Sequence, residues 1–370
     1  MTPAAGRGRR GTVKLVAKVL VACALLVVIA AFLRAQARPA PDPFDAARKA
    51  LNLGQYDQLA RLVGTSADPR AVALRARIDI DHGRYADAER LLAAAASTAP
   101  GSDAALELGR LQLYIGKRAE GTRTLGRMIA TSAQSTAADF VRLCEAERAL
   151  GQFQEANADF RQASALARDD VGMNIGWGEL FAEKYNRSDA AKSFQAALSA
   201  DKDNVRAKVD MAELMVDQNP PGARELLEEV LKLNPSFVPG HILAAQIALD
   251  DGRRDDAKAA LRKALDVNPN DLEARSIDAA IAFLEARNSD FGAQVAEILK
   301  INPRYGEVYR LAEMVGEHGL AGELRLRVAE LAAEVERESA LVVLPLRGLV
   351  AVQAGAGLLA LADVTGGPGA

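Results

Sequence analysis

From Phe44 to about Glu338 the apolar positions recur three or four residues apart, in stripes separated by short polar breaks. Strand-like alternation is nearly absent, so the pattern predicts an all-α chain of helical hairpins. Upstream the pattern changes. Val19 to Leu33 is an unbroken apolar run, lengthened by Leu15, Val16 and Ala17 if Lys18 snorkels to the headgroups, and it predicts one transmembrane helix. Three alternating prolines in Arg38-Pro39-Ala40-Pro41-Asp42-Pro43 disfavour helix and read as an extended stalk. Beyond Glu338 the chain turns apolar and glycine-rich, with only Arg347 and Asp363 charged, unlike the polar capping helix that normally ends a stacked array.

The hairpins repeat at a fixed period. Leu231-Lys232-Leu233-Asn234-Pro235, Leu265-Asp266-Val267-Asn268-Pro269 and Leu299-Lys300-Ile301-Asn302-Pro303 place their prolines 269 − 235 = 34 and 303 − 269 = 34 residues apart. Between helical stripes stand Gly54-Gln55-Tyr56, Gly83-Arg84-Tyr85, Gly116-Lys117-Arg118, Gly151-Gln152-Phe153 and Gly252-Arg253-Arg254. Each glycine ends a first helix in the left-handed region, and a small residue such as Ala88, Ala156 or Ala257 lets the second helix approach.

These residues resemble the tetratricopeptide repeat family, whose 34-residue unit carries a Trp/Leu-Gly pair, a Gly-x-Tyr turn, a following Ala and a closing Pro. Leu108-Gly109 and Trp177-Gly178 match the first pair, Tyr85 and Ala88 the middle, and Pro100, Pro235, Pro269 and Pro303 the end. The resemblance implies a right-handed solenoid of about eight to nine repeats over residues 45–338. Two repeats depart from it: Tyr185-Asn186-Arg187-Ser188-Asp189 has no turn glycine, and Gln218-Asn219-Pro220-Pro221-Gly222 substitutes a proline-rich turn.

Composition narrows the chemistry. With 26% charged residues and a formal net charge of −3, the chain has no nucleic-acid footprint. Its two cysteines, Cys23 and Cys144, build neither a disulfide framework nor a zinc site, and Cys144 reads as a small buried residue. His82, His241 and His318 cannot form a His-Glu-x-x-His helix and read as surface or turn residues. Neither a phosphate-binding loop nor a Gly-x-Ser-x-Gly elbow occurs, and Gly355-Ala356-Gly357-Leu358-Leu359-Ala360 lacks room for a dinucleotide-binding unit before Ala370. The expectation is a non-enzyme with no cofactor, no metal, no nucleic acid and no small-molecule substrate.

Arg7, Arg9, Arg10, Lys14 and Lys18 precede the apolar run and only Arg34 and Arg38 closely follow it, which keeps residues 1–18 cytoplasmic and sends the solenoid outside, into the periplasm of a bacterium. The domain order is then a basic tail (1–18), an anchor (19–33), a stalk (34–44), the solenoid (45–338) and a tail of unknown role (339–370). Ala35-Gln36-Ala37 has the form of a cleavage site, so a removed signal peptide stands beside the anchor as an alternative.

In the resembled family, ligands lie along a concave face built by the first helix of each repeat. Registering on the turn glycines puts Arg70, Arg77, Arg110, Arg148, Lys208 and Arg310 toward that face, with Glu145, Glu179 and Gln246 among them, and turns Arg206 away from it. A net basic groove suits an acidic or C-terminal peptide segment. The expected function is a membrane-tethered scaffold that binds protein or peptide. The alternative, motivated by the odd tail, is the substrate-recruiting arm of a longer metallopeptidase-like protein whose catalytic domain is absent here.

Overall fold

A computed structural model of the chain describes residues 42–308. The apolar run Val19 to Leu33, the end of the expected solenoid to Glu338 and the glycine-rich tail lie outside the described residues, as do His318 and Arg310. No helix among the described residues is long and apolar enough to cross a membrane.

The described residues hold sixteen helices in eight successive hairpins. These are α1 (Asp45–Asn52) with α2 (Tyr56–Val63), α3 (Pro69–Asp81) with α4 (Tyr85–Thr98), α5 (Asp103–Tyr114) with α6 (Arg118–Thr131), and α7 (Ala137–Ala149) with α8 (Phe153–Leu166). They continue as α9 (Val171–Glu183) with α10 (Arg187–Ala200), α11 (Val205–Met215) with α12 (Pro220–Leu233), α13 (Val238–Asp250) with α14 (Arg254–Val267), and α15 (Leu272–Leu284) with α16 (Asn288–Ile301).

Local chemistry sets the helix ends. Side chains of Asp68, Ser102, Asp170, Asn204 and Asp271 accept backbone N–H groups at the starts of α3, α5, α9, α11 and α15, and Thr136 with Asp139 forms a reciprocal capping box on α7. Gly54, Gly83, Gly116, Gly151 and Gly252 all have positive φ at the tight turns, as their spacing predicts. Where glycine is missing the geometry persists: Tyr185 (φ 57°) and Ala286 (φ 55°) take the same left-handed place. In the proline-rich turn Asn219 caps α12, whose first residue Pro220 lacks an N–H that would be unpaired there anyway.

Hairpins close through small residues. Ala88, Ala156 and Ala257 are fully buried, and Leu92, Phe160 and Leu261, one turn later on the same face, fill the space between helices. Cys144 is buried as expected, and burial pushes its thiol pKa up. His241 is a correction: instead of lying at the surface it is buried in α13 with Nε2 bonded to the Pro235 carbonyl, and burial holds its pKa below the ordinary range. His82 does sit at a turn, at the end of α3, edge-on to Tyr56.

Curvature follows from which helices touch. First helices of successive hairpins pack on one another, α3 on α5, α5 on α7, α7 on α9, α9 on α11 and α11 on α13, closer than their second helices do. The first helices therefore line the inside of the curve. The curve is tight enough that the turn at Gly54 reaches Asn234, the turn at Gly83 reaches Asn268 and Asn270, and the turn at Gly116 reaches Asn302.

Candidate functional site

The inner face carries a ladder of ion pairs that climbs from hairpin to hairpin. Arg77 of α3 bonds Asp81 on its own helix (3.3 Å) and Glu107 on α5 (3.4 Å). Arg110 of α5 lies 3.9 Å from Glu107 and 3.3 Å from Glu145 on α7. Arg148 of α7 reaches Glu145 (3.0 Å), Glu179 (2.5 Å) and Glu183 (3.0 Å), the last two on α9. Arg206 of α11 pairs with Glu179 and with Asp210. Further along, the Gln246 amide on α13 makes a bond of the same hairpin-to-hairpin kind to Glu273 on α15 (3.2 Å), with a neutral donor.

Burial tunes these groups. Arg148 is 3% exposed, and although burial alone pulls a guanidinium pKa down, Glu145, Glu179 and Glu183 outweigh it and hold the charge firmly in place. Burial pushes Glu179 up, but Arg206, Arg148 and Arg110 hold its carboxyl below the usual range. Asp210 and Glu183 go the other way: burial raises both, and the neighbouring arginine only partly offsets it. Glu273 is raised well above the ordinary range by burial, and Asp271, Glu213 and Glu307 add to the effect by like-charge repulsion.

Five of the residues expected on this face, Arg77, Arg110, Glu145, Arg148 and Glu179, fall on one connected ladder, and Gln246 makes a separate bond to Glu273. Arg70 lies at the start of α3, paired with its own cap residue Asp68 at 2.7 Å. Two assignments are corrected. Lys208 pairs with Glu229 of α12, its own second helix, and Arg206, expected to point away, occupies the inner face instead. The slip arises because this hairpin lacks the turn glycine used for registration. The small buried residue of each first helix is a better ruler: Arg206 stands six positions before Ala212, as Arg70 does before Ala76.

The sign of the face is corrected as well. Among the described residues Arg77, Arg110, Arg148 and Arg206 are each matched by a carboxyl group, from Asp81, Glu107, Glu145, Glu179, Glu183 and Asp210, so the ladder carries no excess of cations and is not net basic. Sequence registration missed Asp81, Glu107, Glu183, Asp210 and Glu273. All sit on first helices at inward positions, but they surface only when acidic residues are sought as partners for the arginines. Among the described residues no group of three or more His, Cys, Asp or Glu side chains is arranged to hold a metal ion.

Residues 217–281, spanning α12 to most of α15, match the tetratricopeptide repeat family. No curated protein matches the chain in sequence. Among solved structures it is similar to a thermophilic tetratricopeptide repeat protein of Thermus thermophilus, at 20% identity over 54% of this chain and 100% of that one with a TM-score of 0.43. It is also similar to a tetratricopeptide repeat protein from Parabacteroides merdae, at 15% identity over 67% and 98% of the two chains with a TM-score of 0.47. Yeast Tom70 shares 14% identity over 80% of this chain and 76% of that one, with a TM-score of 0.44. Over residues 217–281, then, the chain carries the tetratricopeptide repeat signature, set within an all-helical solenoid of eight described hairpins.

Proposed function

We propose that the protein is a scaffold that binds a segment of another protein along its inner face, tethered to a membrane by Val19 to Leu33 with the solenoid on the extracytoplasmic side. The observation that carries this reading is the ladder itself. A face built only for stability would be served by apolar packing, since buried ion pairs are often no better than hydrophobic residues of the same shape. Here Arg77 and Arg110 keep about a third of their side-chain surface open while holding their carboxylate partners. A ligand group can exchange into such a network by replacing one partner.

With every ladder guanidinium already matched by a carboxyl group, a neutral or basic segment is the better match, in place of the acidic one that sequence registration suggests. Photo-crosslinking residues placed at Arg77 and Arg110 of the full chain in cells should capture a partner that the same residue at Asp57, exposed on α2, does not. Capture from Asp57 alone would sink the inner-face reading. Orientation is tested separately: protease added after the outer barrier is opened should digest the solenoid, and protection of the whole repeat region would overturn it.

A further inference from the structure

The Asn-Pro dipeptides do more than close repeats. Seven second helices, α4 to α16, end in Ala99, Ser132, Ala167, Asp201, Asn234, Asn268 and Asn302 in turn. The residue becomes asparagine at α12 and stays so. From there on, the residue at the end of the second helix lies against the end of a first helix one superhelical turn earlier.

Each of these asparagines is buried and faces two ways. Its Oδ1 accepts locally, from the N–H of Ser236 (3.1 Å), Asn270 (3.0 Å) or Arg304 (3.0 Å). Its Nδ2 donates across the superhelix to the end of a first helix, Asn234 to the Asn52 carbonyl (3.1 Å), Asn268 to that of Ile80 (3.4 Å) and Asn302 to that of Tyr114 (2.9 Å). All three carbonyls lie in the last turn of α1, α3 or α5; that of Ile80 already accepts from the Gly83 N–H (3.0 Å), while those of Asn52 and Tyr114, orphaned by the helix ending, gain in the asparagine a donor they would otherwise take from water.

Further bonds reinforce the seam. Asn52 Nδ2 donates to the Asp203 carbonyl (3.1 Å), the Val205 N–H donates to Asn52 Oδ1 (3.0 Å), Tyr85 donates to the Asn270 carbonyl (3.0 Å), and the Leu272 N–H donates to the Tyr114 hydroxyl (3.0 Å). The turn glycines permit the approach: a Cβ on Gly54 or Gly116 would run into the Asn234 or Asn302 side chain.

We infer that Asn234, Asn268 and Asn302 form a clasp that holds successive superhelical turns together, sets the pitch of the coil and gates access to the inner face. The gate is a physical property of the coil and stands whether or not the inner face binds a partner. An accessibility measurement therefore tests it without reference to binding. Replacing all three residues by aspartate keeps the local acceptor and removes the donor that crosses the seam.

The full chain in detergent micelles, with Cys23→Ser and a reporter thiol introduced by Gln246→Cys on the inner face, is labelled with a bulky polymer maleimide. Buried Cys144 stays silent. The N234D/N268D/N302D variant should label at least about tenfold faster, since three net hydrogen bonds are lost from the closed form. Hydrogen exchange should rise at the turns around Gly54, Gly83 and Gly116, on the far side of the seam from the substitutions, with helicity unchanged. Unchanged labelling together with unchanged exchange at those turns would overturn the clasp. If the triple variant loses helicity, the three single variants carry the test: each should raise exchange at its own opposite turn, and an effect confined to its own hairpin would overturn the proposal.

Discussion

Replacing Arg148 by methionine should be among the most damaging single changes on the inner face. Methionine keeps an unbranched apolar stem in place of the arginine stem, so the loss is mainly one of charge. The side chain is 3% exposed and neutralises three carboxylates at 3.0, 2.5 and 3.0 Å. Breaking a buried pair by removing one partner typically costs about 3–5 kcal/mol, because the remaining charge is left uncompensated. The pH dependence has a definite sign. In the native protein Glu179 is held below its ordinary range, so its pairing stabilises the fold above the unfolded carboxylate pKa and is lost as pH falls through the folded value. In the variant Glu183, already raised by burial, takes up a proton first, so the deficit should shrink from pH 8 to pH 5. Urea unfolding followed by circular dichroism at both pH values measures this, with hydrogen exchange in α7 and α9 because repeat arrays need not unfold in one step. A loss below about 0.5 kcal/mol at pH 8, the size of an ordinary surface substitution, would refute the reasoning. So would a deficit that does not ease in acid.

Other outcomes follow from the turns and from one buried carboxyl. Tyr185→Gly should stabilise the chain by about 0.5–1 kcal/mol, because the tyrosine is 80% exposed and holds a left-handed conformation at little packing gain; a lower melting temperature would contradict this. Gly116→Ala should destabilise by more than about 1 kcal/mol, since it adds backbone strain and an overlap with Asn302, and a neutral result would mean the seam yields freely. Glu147 is 7% exposed, and burial together with Asp159 pushes its pKa up to about 8. Its folded value lies above the unfolded one, so the protonated carboxyl favours the fold below the unfolded pKa and that advantage drains away as pH rises toward 8. Glu147→Gln should therefore flatten the stability profile between about pH 5 and 8, and a profile as steep as the native one would show that the proton sits elsewhere.

Much of the fold is legible in the chain because its determinants are local. The 3.6-residue stripes, the turn glycines and the small residues at Ala88, Ala156 and Ala257 act within one hairpin, and each lies where its spacing places it. Tyr185 and Ala286 were harder to read, since a left-handed residue without glycine carries no compositional mark. The inner face was half legible. Arg77, Arg110, Glu145, Arg148 and Glu179 lie on the ladder, but with only Glu145 and Glu179 read among the cations, and Asp81, Glu107, Glu183 and Asp210 left out, the face read as net basic, and one hairpin without a turn glycine exchanged the places of Arg206 and Lys208.

The sequence by itself determined the helices and their pairing into hairpins, because neighbouring side chains and backbone sterics decide those. Only the tertiary structure decided which arginine meets which carboxylate on the next hairpin, and that asparagines 182 and 188 residues away from their acceptors close the coil. Those contacts depend on a small rotation repeated at every hairpin, which adds up over the array until two distant turns meet. No local pattern encodes that sum. The 34-residue rhythm of the Asn-Pro dipeptides is plain in the chain, but what each asparagine holds is fixed by where the superhelix returns.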